Sequence, residues 1–255
     1  MPKIQNALAP QTSKVFEAIT RLDCILPFTL VGGTALSLQL GKRLSEDLDF
    51  MKWQTTKNET PDVNWPAIQT ELKTVGEIRD MDIGGFDFVQ FNVEGVKVSF
   101  YAAPRRVLPS MQRIRYLNNL YLADVVSIGA MKMETLLRRA KFRDYYDIYS
   151  ILMEGHDIQS MMTAALQHSE HKLKSRNLMA MLTNGALFPI EEGFETDGTE
   201  DKEGEGSGGT SSGESGSGEI GKLRDSDCIN GLHGLNGYRK TEEKTCGNII
   251  NGSKY

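Results

Sequence analysis

Residues 30–50, L-V-G-G-T-A-L-S-L-Q-L-G-K-R-L-S-E-D-L-D-F, constrain this chain more than any other stretch. They end in D-L-D-F. Because side chains alternate faces along an extended strand, Asp47 and Asp49 point one way while Leu48 and Phe50 enter a core. Two steps of about 3.3 Å put the two carboxylates roughly 7 Å apart at their Cα atoms, within joint reach of one hard cation or a pair of them. Mg²⁺ (or Mn²⁺) takes oxygen ligands and is commonly held by one or two carboxylates together with substrate phosphates. A nucleoside triphosphate (NTP) is the expected third party.

Upstream, residues 28–31 read as a short buried strand and 34–40 as a helix, which leaves Gly32 and Gly33 at the strand-to-helix turn. Lacking side chains, they let backbone N–H groups approach a phosphate at the positive end of the helix. Gly41 ends that helix. Lys42, Arg43 and Ser45 precede the carboxylates and offer cations and a hydroxyl to phosphate oxygens. Taken singly, the glycine pair is equally an ordinary tight turn and the two aspartates an ordinary solvated strand face. Their succession at fixed spacing argues for a site.

The succession V-G-G, thirteen residues, then D-L-D-F resembles the signature of the DNA polymerase β-like nucleotidyltransferase superfamily. More narrowly, G-G-T-A-L followed by R-L-S-E-D-L-D-F resembles the AbiEii/AbiGii-type nucleotidyltransferase toxins of bacterial toxin–antitoxin and phage-defence systems, over roughly the first 190 residues. The fold this implies is α/β (α+β): a polymerase β-like nucleotidyltransferase core with a small mixed sheet flanked by helices, followed by a helical segment. The core would occupy residues 1–122, a helical segment closing the cleft 123–190, and an acidic Gly/Ser-rich linker and tail 191–255.

By the same resemblance Asp47 and Asp49 hold the metal, and Gly32, Gly33, Thr34, Arg43 and Ser45 contact the nucleotide. Lys132, on a helix, followed by R-D-Y-Y-D at 143–147, resembles the family's second signature. Lys132 would then contact the triphosphate and stabilise developing charge, while Asp144 and Asp147 orient the basic groups or the acceptor hydroxyl. The plain reading of those residues is a surface helix with an Arg143–Asp147 i,i+4 pair, worth a few tenths of a kcal/mol.

The implied activity is transfer of a nucleoside monophosphate from an NTP to an acceptor, an RNA end and possibly tRNA, inhibiting the cell's own translation unless a cognate antitoxin protein is present. Two alternatives stand beside it: modification of a small molecule such as an aminoglycoside antibiotic, and a catalytically silent module that binds nucleotide or protein. The second arises from one departure. Residues 86–93, an E-G turn and residues 96–101 read as a β-hairpin in which Val96, Val98 and Phe100 share one face and Lys97 and Ser99 the other. The superfamily commonly places a third carboxylate on such a strand, and the matching position is Ser99. Asp82 and Asp87 are nearby substitutes of unfixed register.

Elsewhere the apolar spacing predicts helices over 12–22, capped by Thr12 or Ser13, and over 65–75, with a loop over 51–63 between them. Residues 116–123 have strand composition, and Asp124 is placed to cap the helix that carries Lys132 and Arg139 on one side. Helices follow near 148–152, 158–166 and 173–182. Arg105, Arg106, Arg113 and Arg115 form a basic cluster that either follows a nucleic-acid backbone or is a solvated loop. Residues 191–255 hold 14 of the 34 acidic residues and 15 of the 25 glycines, the composition of a flexible segment. Three widely spaced cysteines indicate neither a disulfide framework nor a zinc site, and Cys24 reads as a core residue. No apolar run approaches the roughly 20 residues of a membrane span, so the expectation is a soluble cytoplasmic protein with no membrane partner.

Overall fold

The computed structural model describes residues 4–54, 60–103, 111–139, 141–168, 174–184, 188, 189 and 194. In chain order these form α1 (Pro10–Ile19), β1 (Thr29–Val31), α2 (Gly32–Leu40), β2 (Leu48–Trp53), α3 (Trp65–Leu72), β3 (Ile78–Ile83), β4 (Phe88–Val93), β5 (Val96–Ala103), β6 (Arg113–Leu117), β7 (Leu120–Ala123), α4 (Val125–Arg139), α5 (Phe142–Met153), α6 (Ile158–His168) and α7 (Ser175–Leu182). The seven strands make one mixed sheet in the order β3-β4-β5-β2-β1-β7-β6. Parallel pairing occurs between β2 and β5 and between β1 and β7, and the other neighbours are antiparallel. The α+β class and the mixed sheet expected from the sequence are present.

Period-two alternation sets the central strands. Leu48 and Phe50 on β2, Val89, Phe91 and Val93 on β4, and Val96, Val98 and Phe100 on β5 are all buried. Phe50 stacks on Phe100 with ring centroids 5.1 Å apart, and Phe28 and Phe91 meet Phe100 edge-on at 5.2 and 6.3 Å. Such aromatic contacts add about 0.5–1.5 kcal/mol each beyond area burial. With the odd-even pattern pinned by this core, Asp49, Lys97 and Ser99 are turned to the opposite face.

Some element boundaries differ from the sequence expectation. β2 runs on through Met51–Trp53, so the loop placed over 51–63 begins later, and residues 55–59 lie outside the described residues. Helix α1 starts at Pro10, whose missing N–H costs nothing at a first helical position; the Thr12 hydroxyl, expected as a cap, instead donates to the Glu46 carbonyl at 2.6 Å. Residues 113–123 are two strands rather than one, turned at Asn118, which has a positive φ of 49°. Asn119 fastens that turn by donating to the carbonyls of Arg21 and Leu22. β3 was not foreseen.

The helical half follows its caps. Asp124 caps α4, accepting from the Ser127 N–H at 3.0 Å, and Asp157 caps α6, accepting from the Ser160 N–H at 2.9 Å. Gly155, at φ 84°, turns the chain between α5 and α6. α4 packs against α2, α5, α6 and α7, and α4 and α5 both pack on α2, the helix that follows the glycine turn. Among the described residues no helix is long and apolar enough to cross a membrane. The expected flexible segment 191–255 lies outside the described residues except for Phe194.

Candidate active site

The antiparallel register of β1 and β2 pairs Val31 with Asp49, so the chain leaves β1 beside that carboxylate and turns at once into α2. Gly32, the first helical residue, has φ +70°, a conformation L side chains rarely adopt, and a Cβ there would lie 3.2 Å from Asp49 Oδ2. A Cβ on Gly33 would lie 2.2 Å from Arg43 Nη2 and 3.3 Å from Ser45 Oγ. The first glycine is therefore fixed by backbone conformation and the second by the space a guanidinium occupies. Thr34 completes the turn: its hydroxyl donates to the Asp47 carbonyl and is hydrogen-bonded to the Ser45 hydroxyl at 2.8 Å. These contacts lock the residues ahead of the D-x-D to the first turn of α2.

A five-member charge network builds the other wall. Arg43 Nε and Nη2 donate to the two carboxylate oxygens of Asp147 at 2.7 and 2.9 Å, and Nη1 donates to the Leu44 carbonyl. Lys132 Nζ bridges Asp144 Oδ1 at 2.8 Å and Asp147 Oδ2 at 2.7 Å. Arg139 closes on Asp144 at 2.6 and 2.9 Å. Burial by itself would push both carboxyls up. Arg139 and Lys132 around Asp144, and Lys132 and Arg43 around Asp147, overcome it and hold both below the ordinary carboxylate value. Three cations face two carboxylates, leaving one unit of positive charge at the edge of the cleft.

Asp49 has the opposite environment. Burial and the nearby Asp47 raise its pKa, and a hydrogen bond from Ser99 with the charges of Lys132 and Lys97 only partly offset them. Asp49 on β2 and Asp47 just ahead of it form a donor set suited to a hard divalent cation, which would relieve the penalty on Asp49. Among the described residues no third acidic, histidine or cysteine side chain joins them. Ser99 pairs directly with Asp49, as expected. Asp82 lies in the same transverse row but beyond Ser99 and Gln90. At about 4.8 Å per strand it is roughly 14 Å from Asp49 at the Cα atoms, too far to share an ion. Asp87 is at the outer end of the hairpin, before β4, and is no substitute either.

These elements enclose a cleft of about 450 Å³. Gly32, Gly33, Thr34, Arg43, Ser45, Asp47, Asp49 and Lys132, from the sequence set, all line it. Asp144 and Asp147 do not; they are 0% and 2% exposed and stand behind the cations, saturated by them. Their carboxylate oxygens face Arg43, Lys132 and Arg139 rather than the cleft. Lys42 points away and pairs with Glu154 at 2.7 Å. Arg139, expected on the basic face of the helix with Lys132, lines the cleft, and so do Lys97, Lys141 and Phe194, to which the sequence assigned no role there. Alternation along β5 was the signal for Lys97, and the seven-residue step from Lys132 was the signal for Arg139. Nothing local marks Phe194, whose ring meets those of Tyr146 at 5.0 Å and Phe142 at 5.1 Å.

The expected basic cluster is only partly visible. Arg105 and Arg106 lie outside the described residues. Arg113 donates to the Leu26 and Phe28 carbonyls and lies 4.4 Å over the Tyr121 ring, so it fastens β6 to the start of β1. It is not a free phosphate contact.

A glycine turn abutting a D-x-D strand and closed by a basic helix defines a nucleotidyltransferase. The family model for the AbiEii nucleotidyl transferase toxin of type IV toxin–antitoxin systems matches residues 17–205, and the chain belongs to that family. An uncharacterized protein of Aquifex aeolicus (strain VF5), aq_aa25, is 25% identical over 155 residues, 60% of this chain and 72% of that protein. The crystal structure of JHP933 from Helicobacter pylori is similar at 16% identity with a TM-score of 0.49, covering 96% of this chain and 98% of that one.

Proposed function

We propose that this cleft transfers a nucleoside monophosphate from an NTP to an RNA acceptor, tRNA ends included, with Mg²⁺ (or Mn²⁺) held by Asp47 and Asp49. The protein would act as the cytoplasmic toxin of a toxin–antitoxin pair, with a role in phage defence and a cognate antitoxin as its partner. The observation that carries the reading is that the glycine turn, the D-x-D carboxylates and the Lys132 network converge on one cleft from three separate parts of the chain.

Each residue has a task in that reaction. The N–H groups at the start of α2, with the Thr34 and Ser45 hydroxyls, bind phosphate oxygens at the positive end of the helix. Arg43 and Lys132 present charge to the triphosphate from fixed positions, because Asp147 and Asp144 prevent their reorganisation as charge develops. Bound metal would neutralise phosphoryl charge and help orient the leaving pyrophosphate. Lys97, Lys141 and the network's surplus positive charge make the cleft wall suited to a polyanion rather than a cationic drug.

An acceptor comparison tests this. The protein is incubated with each α-labelled NTP and Mg²⁺, against either total RNA or a panel of aminoglycosides. Label entering RNA supports the reading; label entering an aminoglycoside and not RNA replaces it with antibiotic modification.

A further inference from the structure

The parallel register of β2 and β5 pairs Leu48 with Val98 and Asp49 with Ser99, and Asp47 and Lys97 are the residues just ahead of the first pair. Asp49 and Ser99 share a face as a cross-strand pair, alternation along β5 puts Lys97 on the same face, and Asp47, Asp49 and Lys97 all line the cleft. Within it, the position that would complete a second cation site holds an uncharged hydroxyl, and Ser99 is 8% exposed. Lys97 is exposed, lines the cleft, and forms no ion pair among the described residues. On the opposite wall, Arg43, Lys132 and Arg139 are each ion-paired with Asp144 or Asp147. Lys97 thus differs from those three in having no carboxylate that holds its charge in place.

We propose that Lys97 is a catalytic residue, its ammonium supplying, at the acceptor side of the α-phosphate, the positive charge that a third carboxylate would otherwise bring in as a second metal ion. The proposal rests on the nucleotidyl-transfer reading above. In that step the bond from acceptor oxygen to Pα forms as the bond from Pα to the bridging β-phosphate oxygen breaks. Pyrophosphate leaves, and the acceptor proton passes to water. Negative charge grows on the phosphoryl oxygens and on the in-line oxygens, and a cation on the cleft face of β5 meets it without an additional acidic ligand.

The test uses the full chain with a non-hydrolysable α,β-imido NTP, counting bound Mn²⁺ by electron paramagnetic resonance, alongside turnover with the ordinary NTP. The wild type is expected to hold a single Mn²⁺ per protein–nucleotide complex. Lys97→Gln, an exposed substitution that leaves the melting temperature unchanged, is expected to keep that stoichiometry and nucleotide affinity while kcat falls about 10²-fold. Two Mn²⁺ ions in the wild-type complex, or unchanged kcat in Lys97→Gln, would overturn the proposal while leaving nucleotidyl transfer intact. Failure of the wild type to bind the NTP analogue at all would instead remove the underlying reading, and the proposal with it.

Discussion

Arg43 and Asp147, 104 residues apart in the chain, meet through two hydrogen bonds of 2.7 and 2.9 Å with both side chains nearly closed to water. This pair joins the segment ahead of the D-x-D to the helix after Lys132, so one contact serves both stability and the shape of the cleft. Removing one partner of a buried pair leaves an uncompensated charge, at about 3–5 kcal/mol. Asp147→Asn is expected to lower unfolding free energy by an amount of that order, measured by urea titration. Arg139→Gln, whose side chain is half exposed, should cost much less.

Gly33→Ala places a methyl group where Arg43 Nη2 now lies, and the guanidinium cannot swing away without breaking its Asp147 bonds. Loss of nucleotide binding and destabilisation of about 2–3 kcal/mol are expected, from calorimetric binding and urea unfolding. Gly155→Ala is the contrast: φ is +84° but no atom lies within 4 Å of the added Cβ. It should cost only about 1–2 kcal/mol of backbone strain, with nucleotide binding unchanged.

How much of this was legible beforehand depended on the range of each interaction. The hairpin's turn and two-residue period fixed only the face of β5 that carries Ser99; that this strand lies beside Asp49 was legible from the family resemblance alone, because β2 and β5 are some fifty residues apart and pair in parallel. The Arg43–Asp147 bond could not be read, since nothing local relates residues so far apart. β3 was hidden because its six residues, I-R-D-M-D-I, include no buried one and show no clean alternation on this edge strand. The break at Asn118 was hidden because two apolar strands of four and five residues joined by a tight turn have the composition of one longer strand.

Acid should weaken the fold through the network. Asp144 and Asp147 both lie below the ordinary carboxylate value of about 3.9, so their ionised forms stabilise the fold at and above that pH. That stabilisation is withdrawn as pH falls through their depressed values. Melting temperature followed from pH 6 to pH 2 should decline below about pH 4, and the decline should be smaller in Asp147→Asn, which has already lost one of the two groups.

Cys24 is not a reactive thiol. Burial, reinforced by the charge of Glu71, pushes its pKa up to about 12, so almost no thiolate exists near neutrality. Maleimide labelling at pH 7.5 followed by peptide mass spectrometry should leave Cys24 unmodified in the folded protein and label it fully in 6 M guanidinium.

The central claim is that Asp47 and Asp49 hold the cation for nucleotidyl transfer to RNA, and it is tested most directly by incorporation of labelled nucleotide. Intact protein and Asp49→Ala, matched for melting behaviour, are each given one α-labelled NTP at a time with Mg²⁺ and total RNA. Transfer from at least one NTP by the intact protein, falling by about 10³-fold or more in Asp49→Ala, is the expected result. Equal transfer by both proteins, or none by an intact protein that binds the nucleotide, would contradict it.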